Sequence, residues 1–434
     1  MAITAPSNST TVSAPGSEQS YGAPLATVTT LFFMWGFLTC LNDILVPHLK
    51  SIFDLNYAQV MLIQFAFFGA YFIFSIPSSK IVDSIGYQRS MVVGLVTMGV
   101  GAFLFVPAAS APSFPLFLGA LIVLAAGITC LQVAANPYVT VLGKPQTASS
   151  RLNLTQAFNS LGTFLAPFFG AVLILSAAPK SINEIRAMAP DALQAYRLHE
   201  AATVKTPYVG LGIALVLLAV AIGSFKLPKI EHAQHKVGEK VNDSIWNHPS
   251  LIFGAIGIFV YVGAEVSIGS FLVNYFSQPE IGGLTEKAAA SLVAFYWGGA
   301  MVGRFIGSAL LQKMKTGYLL GICAVCASLL VAVSMLTTGP TAMYSIILVG
   351  FFNSIMFPSI FTLGVAELGP LTGDGSGVMI MAIVGGAIIP VAQGAIADRI
   401  GIHHAFFLPV ICYLYILYFA LSGSRPNSER YAKA

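Results

Sequence analysis

Long apolar segments alternate with short polar ones along nearly the whole chain. A run of about twenty apolar residues is the length of helix that crosses a bilayer. Twelve such runs are predicted to be membrane spans. They lie near residues 25–48, 59–79, 90–109, 114–142, 152–177, 207–227, 249–276, 288–311, 318–337, 341–366, 375–397 and 403–422. A polar stretch between positions 227 and 247 divides the spans six and six. The pattern therefore predicts an all-α integral membrane protein built from two six-helix halves.

Composition supports a membrane protein and excludes a soluble one. The chain has 434 residues, of which 56% are hydrophobic and 9% are charged, and its mean hydropathy is +0.81. Soluble domains carry roughly 25% charged residues. Apolar runs of helical length also exclude an outer-membrane barrel, whose strands are much shorter. The net charge of +4 is modest and gives no reason to expect a nucleic-acid partner.

Both ends of the chain and its middle are predicted to lie outside the membrane. Residues 1–24 are rich in Ser, Thr, Ala and Pro and contain no Lys or Arg. This composition indicates a disordered tail and not a signal peptide. The predicted order is a tail over 1–24, an N-terminal half over 25–227, a cytoplasmic linker over 228–248, a C-terminal half over 249–423 and a tail over 424–434.

The distribution of Lys and Arg predicts the orientation in the membrane. With both termini inside, 13 of the 21 Lys and Arg residues fall in inner segments and 7 in outer ones, and Arg304 falls within a span. Four of the outer charges lie in one longer loop over 178–206, where the positive-inside rule is weaker. The sequence therefore predicts an inner-membrane protein with both termini in the cytoplasm.

The two predicted halves repeat several residues at nearly constant offsets. The pairs are Gln132 and Asn353, Pro137 and Pro358, and Gly143 and Gly364 at 221; Asp43 and Glu265 at 222; and Gly162 and Gly385, with Pro167 and Pro390, at 223. These matches cover three pairs of spans. Two repeated halves with a substrate site between them at the midplane are common among secondary transporters.

Two carboxylates and one cation lie deep within predicted spans: Asp43 in span one, Glu265 in span seven and Arg304 in span eight. Ionisable groups inside a membrane are costly, about 2.5–3.5 kcal/mol for an Asp at a helix centre, and they mark ion pathways. In one interpretation, a carboxylate binds a coupling cation, H⁺ or Na⁺, as access alternates. In the other, the charges neutralise one another, with Arg304 as the structural partner of Glu265.

A second set of polar residues within the spans carries no charge. Planar amides donate and accept hydrogen bonds to sugar hydroxyls, and aromatic rings pack against the apolar face of a sugar. The amides are Gln64, Gln132, Asn136, Gln156, Asn159, Asn274 and Asn353, with Asn42 beside Asp43. The candidate rings are Trp35, Tyr138, Tyr261 and Trp297. The amides favour a neutral polyhydroxyl solute, although membrane Asn and Gln also join helices to one another.

Four segments together carry a family resemblance: LNDILVPHLK over 41–50, CLQVAANPYVTVLG over 130–143, RLNLTQAFNSLG over 151–162 and FFNSIMFPSIFTLG over 351–364. The chain resembles the fucose:proton symporter family of the major facilitator superfamily, over essentially all twelve spans. The resemblance implies the major facilitator fold and a role for Asp43 in proton coupling. It also implies that Gln156, Asn159 and Trp35 lie in the sugar cavity.

One position departs from the pattern of the fucose transporters. They have a glutamate in span four, in the context Cys-Leu-Glu-x-Ala-Ala-Asn-Pro, where this chain has Gln132. The segment LQVAANPY is instead similar to the family's bacterial glucose/galactose branch. A neutral amide removes one protonatable group, so the coupling ion stays open between H⁺, which the family's chemistry favours, and Na⁺.

The segment KIVDSIGYQR, from Lys80 to Arg89, resembles the superfamily's inner loop between spans two and three, Gly-x-x-x-Asp-Arg-x-Gly-Arg-Arg. Asp83 and Gly86 fit that pattern, Arg89 lies one residue beyond its final arginine, and Ser79 replaces the leading glycine. The match predicts that this turn lies at the cytoplasmic face.

The combined interpretation is a monomeric, cation-coupled hexose symporter with glucose and galactose as substrates. Its partners are a small sugar and the lipid bilayer, and we expect no resident cofactor, no metal site and no enzymatic chemistry. The candidate coupling residues are Asp43 and Glu265, and the candidate sugar-binding residues are Trp35, Asn42, Gln132, Asn136, Gln156, Asn159 and Asn353. An exporter of sugars or drugs and a membrane sugar sensor remain alternatives.

Overall fold

Apolar helices account for most of the folded chain. The computed structural model describes residues 21–53, 57–110, 113–173, 184, 187–203, 205–228 and 243–425. The side chains of residues 41–61, 169–173, 197 and 200–203 lie outside that description. All regular secondary structure within the described ranges is helical.

The first half consists of six long helices and one short connecting helix. They are α1 (Gly22–Phe53), α2 (Tyr57–Ile85), α3 (Tyr87–Ser110), α4 (Phe114–Val141), α5 (Ala148–Leu173), the short α6 (Pro190–Thr203) and α7 (Lys205–Ser224). Short turns join α2 to α3 and α4 to α5. Residues 1–20 of the predicted tail and 229–242 of the predicted linker lie outside the described residues.

The second half repeats this arrangement, but its last three spans are interrupted. Its helices are α8 (Pro249–Ser277), α9 (Glu286–Leu310), α10 (Thr316–Leu336), α11 (Gly339–Asn353), α12 (Met356–Gly364), α13 (Thr372–Met381), α14 (Gly385–Ile400), α15 (Ile402–Ala405) and α16 (Phe407–Tyr418). Spans ten, eleven and twelve correspond to α11 with α12, α13 with α14, and α15 with α16. Residues 426–434 of the predicted C-terminal tail are outside the described residues.

The predicted spans all coincide with helices. Among the described residues, eleven segments are long and apolar enough to cross a membrane. The twelfth span is α5, whose first turns carry Ser149, Ser150, Arg151 and Asn153. Ser149, Ser150 and Asn153 make hydrogen bonds to the other half of the protein, whereas Arg151 donates to carbonyls at the end of α4 and in the turn that follows it. These polar residues make α5 less apolar than its neighbours.

The repeat in the sequence has a structural counterpart in two close helix crossings. A Cβ on Gly162 of α5 would overlap the carbonyl oxygen of Phe33 in α1, and a Cβ on Gly385 at the start of α14 would overlap that of Phe259 in α8. Small residues allow backbones to approach this closely in membranes. Span five is therefore packed on span one as span eleven is packed on span seven, which gives the two halves the same internal construction.

Gly162→Ala is expected to destabilise the protein by about 1–3 kcal/mol, because the added methyl group overlaps backbone that cannot rotate away. The thermal stability of the detergent-purified variant, followed by size-exclusion chromatography after heating, measures the effect. Gly119→Ala in α4 is the matched control, since no atom lies within 4 Å of its added Cβ. Equal melting temperatures for the two variants would contradict the predicted close crossing.

Candidate functional site

Polar side chains join the two halves at one end of the bundle. From α5, Ser149 Oγ lies 2.6 Å from Thr362 Oγ1 of α12. Also from α5, Ser150 Oγ donates to the carbonyl of Ser308 in α9 at 2.7 Å. These bonds close the bundle at the end that carries the α4–α5 turn.

An ion pair between α2 and α13 also joins the two halves at this end. Lys80 Nζ of α2 lies 2.7 Å from Asp374 Oδ1 of α13, and Ser79 Oγ donates to the same oxygen at 3.3 Å. Lys80 Nζ also lies 3.9 Å from Asp83 Oδ2. The segment singled out at the α2–α3 turn thus contacts the first turn of α13. Because the lysine side chain is largely exposed, this ion pair contributes about 0–1 kcal/mol to the stability of the closed end.

Two prolines leave backbone carbonyls free to accept hydrogen bonds from side chains of other helices. A proline has no N–H, so Pro137 leaves the carbonyl of Val133 without its helical partner, and Pro358 does the same for Ser354. The Val133 carbonyl instead accepts a hydrogen bond from Ser376 Oγ of α13 at 3.0 Å. The Ser354 carbonyl accepts one from Arg304 Nε at 3.2 Å. The equivalent prolines of the two halves therefore create equivalent acceptors, 221 residues apart.

A cavity of about 610 Å³ lies between the halves. Its walls come from α1 and α5 on one side and α8 and α9 on the other. Its border carries the polar residues Ser160, Thr163, Glu265 and Arg304 and the aromatic residues Phe164, Phe168 and Trp297. Small-molecule sites typically measure roughly 300–1,000 Å³ and combine apolar walls with a few polar groups. This cavity has the size and lining of such a site.

Glu265 contributes the carboxylate of the cavity. Its Oε1 accepts a hydrogen bond from the hydroxyl of Tyr261, one turn earlier on α8, at 2.9 Å. The hydroxyl of Tyr296 is directed at the Glu265 backbone carbonyl, 3.4 Å away, and accepts a hydrogen bond from Asn353 Nδ2 at 2.9 Å. The carboxylate thus has a fixed orientation and lies at the cavity border, where a ligand or cation could reach it.

Arg304 connects the two halves beneath the cavity. Its Nη1 donates to Ser160 Oγ of α5, and Nε donates to the freed carbonyl of Ser354. The carbonyl of Arg304 accepts from Asn153 Nδ2 of α5 at 2.7 Å. Within the described residues Arg304 and Glu265 form no ion pair, although they interact electrostatically. Arg304 is therefore a link between halves and not simply the counter-ion of Glu265.

Three predicted sugar-binding amides form a buried group within the first half. Gln132 Nε2 donates to the hydroxyl of Tyr71 at 2.7 Å, and Gln156 Nε2 donates to Asn136 Oδ1 at 3.3 Å. Asn136 Nδ2 is buried without a hydrogen-bond partner. This group does not border the cavity. Asn136 Nδ2 is nevertheless a buried donor in this group that is available to bind a ligand.

The remaining predicted residues are distributed over both halves. Asn159 Nδ2 donates to the carbonyl of Phe32 in α1 at 2.9 Å, and Trp35 is only 7% exposed. Asn353 belongs to the network of Tyr296 and Glu265. Asp43 and Asn42 lie on α1, but their side chains are outside the described residues.

Sequence reasoning missed the cavity roles of Ser160 and Thr163. Both follow the predicted amide Gln156 on one face of α5, at spacings of four and seven residues. A search for polar residues along the face of α5 that carries Gln156 would have identified Ser160 and Thr163. The connection from Arg304 to α5 has no comparable signal, because the sequence does not state which helices of different halves are neighbours.

Comparisons with known proteins agree with this architecture. Residues 26–383 match the sequence profile of the Major Facilitator Superfamily. The chain is 53% identical to a glucose/galactose transporter of Brucella abortus, over 98% of this chain and 100% of that protein. It is 35% identical to the L-fucose-proton symporter of Escherichia coli, over 93% and 94% of the two chains. Among solved structures, a Major Facilitator Superfamily transporter, FucP, in the outward conformation superimposes with a TM-score of 0.87 at 34% identity, covering 93% of this chain and 99% of that one.

Proposed function

Because the chain belongs to the Major Facilitator Superfamily, we propose that it is a cation-coupled hexose symporter that imports glucose and galactose by alternating access. The observation that carries the proposal is the cavity between the halves, which has a carboxylate and hydroxyls at its border and polar cross-links at one end. The names of the relatives support the substrate class and, through the fucose-proton symporters, coupling to H⁺.

Asp43 and Glu265 are the proposed coupling residues. They occupy corresponding positions of the two halves, and Glu265 borders the cavity. Gln132 is an amide and cannot take up a proton near neutral pH, so the titrating groups are Asp43, Glu265 or both. A carboxylate in a confined cavity can bind H⁺ from one side of the membrane and release it on the other.

The proposed sugar contacts combine residues of both halves. They are Trp35, Asn42, Gln132, Asn136, Gln156, Asn159 and Asn353. Asn136 Nδ2 and Asn353 Oδ1 are buried polar atoms without hydrogen-bond partners, which supports a role for their amides in binding a polar ligand. Gln132, Gln156 and Asn159 now bond to protein groups, and they exchange those partners for sugar hydroxyls as the cavity closes.

The Lys and Arg distribution supports a cytoplasmic location for the closed end and for both termini of this inner-membrane protein. In that orientation the cavity faces outward, as in the fucose transporter solved in the outward conformation. The sugar is released inside when the outer side closes and the cross-links near Ser149, Ser150 and Lys80 break.

Uptake by proteoliposomes tests the proposal. Labelled glucose and galactose are supplied under an imposed H⁺ gradient without Na⁺, and separately under a Na⁺ gradient at constant pH. We expect accumulation driven by the H⁺ gradient alone, with alkalinisation outside on sugar addition. Strict dependence on Na⁺ without proton movement would overturn proton coupling. Absence of hexose uptake under both gradients would overturn the symporter assignment.

A further inference from the structure

Three aromatic rings border the cavity: Phe164 and Phe168 on the wall of the first half and Trp297 on the wall of the second. Of the four candidate rings, Tyr138, Tyr261 and Trp35 are buried, with exposures of 1%, 0% and 7%. Trp297 is 45% exposed and borders the cavity. Among these four, Trp297 alone has an accessible ring surface in the present state.

The Trp297 ring is fixed from two sides. A Cβ on Gly269 of α8 would lie 2.9 Å from Trp297 Cζ2, so the ring fits against the bare backbone of that glycine. The ring of Tyr296 meets Trp297 edge-on, with centroids 5.1 Å apart. A ring held in this way binds a ligand without losing much side-chain entropy.

Charged groups lie near this ring at a deeper level of the cavity. Glu265 precedes Gly269 by four residues on α8, which is about one helical turn. Arg304 follows Trp297 by seven residues on α9, which is two turns or roughly 10 Å. All three side chains border the same cavity. An apolar ring surface beside a carboxylate and a guanidinium suits a ligand with both a C–H face and hydroxyl groups.

We propose that Trp297, on the wall of the second half, binds the apolar C–H face of a pyranose while Glu265 and Arg304 bind its hydroxyls. This assignment rests on the proposed sugar symport and gives that site a second wall, in addition to the amides of α4 and α5. In D-galactopyranose the axial C4 hydroxyl leaves the C–H bonds of C3, C4 and C5 on one face. D-Glucopyranose has no such continuous patch. The ring surface therefore favours galactose over glucose.

Sugar binding to purified Trp297 variants tests the proposal, with titrations of D-galactose and D-glucose followed by isothermal calorimetry. Trp297→Ala is expected to lower galactose affinity tenfold or more and glucose affinity by a smaller factor. Trp297→Phe keeps a smaller ring and is expected to retain part of the preference. Gly269→Ala keeps the tryptophan but displaces it, so it is also expected to weaken galactose binding. Trp246→Phe, at a site 67% exposed and remote from the cavity, is the control.

The outcomes separate the two proposals. Wild-type uptake of hexoses together with unchanged affinities in Trp297→Ala would overturn the role of Trp297 and leave the symporter assignment standing. Equal losses for both sugars would overturn the galactose-face assignment. If the wild type neither binds nor transports a hexose, the proposed function fails and this inference fails with it. Melting temperatures near the wild-type value for Trp297→Phe and Gly269→Ala exclude misfolding as the cause of weaker binding.

Discussion

Asp43→Asn is expected to abolish sugar accumulation against a gradient while leaving sugar exchange partly intact. The amide keeps the size and shape of the carboxylate but cannot carry a negative charge or release a proton near neutral pH. Without a group that binds the coupling ion, sugar movement is no longer tied to ion movement. Concentrative uptake and equilibrium exchange are measured in the same proteoliposomes, with labelled sugar and an imposed gradient of the coupling ion.

The control for Asp43→Asn is Asp191→Asn, which removes an exposed acidic residue from the first turn of α6. We expect that variant to accumulate sugar as the wild type does. Full accumulation by Asp43→Asn would remove Asp43 from the coupling mechanism and leave Glu265 as the candidate. Loss of both accumulation and exchange would instead assign Asp43 to sugar binding or folding.

Arg304→Ala is expected to reduce transport at least tenfold and to shift the protein away from the state described here. The variant loses the hydrogen bond from Nη1 to Ser160 in the other half and leaves the freed carbonyl of Ser354 without its donor. A hydrogen bond from a charged group contributes about 1.5–3 kcal/mol, so losing the cross-half bond changes the ratio of conformations roughly tenfold to hundredfold.

Distances between spin labels measure that shift. Labels on cysteines introduced at Ser84 and Lys313, two exposed positions at the closed end of different halves, report its opening in a background lacking the five native cysteines. In Arg304→Ala, we expect the mean distance between the two labels to increase and the distribution of distances to widen. Arg399→Ala, which removes an exposed charge at the end of α14, is the control and should change neither distance nor transport. Wild-type distances and rates in Arg304→Ala would contradict the linking role.

The fold could be predicted from the sequence because a bilayer restricts the choices. Apolar runs of helical length gave twelve spans, and the comparisons and helices confirm the all-α major facilitator architecture. The repeat of Pro137 and Pro358 placed two prolines at equivalent positions of the two halves. The structure adds that each proline releases a carbonyl that accepts a side chain. That partner is a tertiary contact, which spacing along one chain does not specify.

The candidate site was less predictable, because hydrogen-bond partners decide what an amide does. Gln156 and Asn159 share a helix face in the sequence, as expected for a sugar wall. In the structure Gln156 bonds to Asn136 and Asn159 bonds to a carbonyl of α1. Which of these partners a sugar replaces depends on the conformation, so the assignment of the amides stays a prediction. Glu265, expected deep within span seven, lies at the border of the cavity, and its role in coupling stays a prediction.

The hydroxyl pairs at the closed end have a consequence for hydration. When this end opens, water can replace each partner of Ser149, Ser150, Ser308 and Thr362, and a bond to water is enthalpically nearly as good as the one it replaces. An apolar seam would instead expose hydrocarbon at about 25 cal/mol per Å². These hydroxyls therefore separate without being left unsatisfied, so water that enters at this end helps to open it.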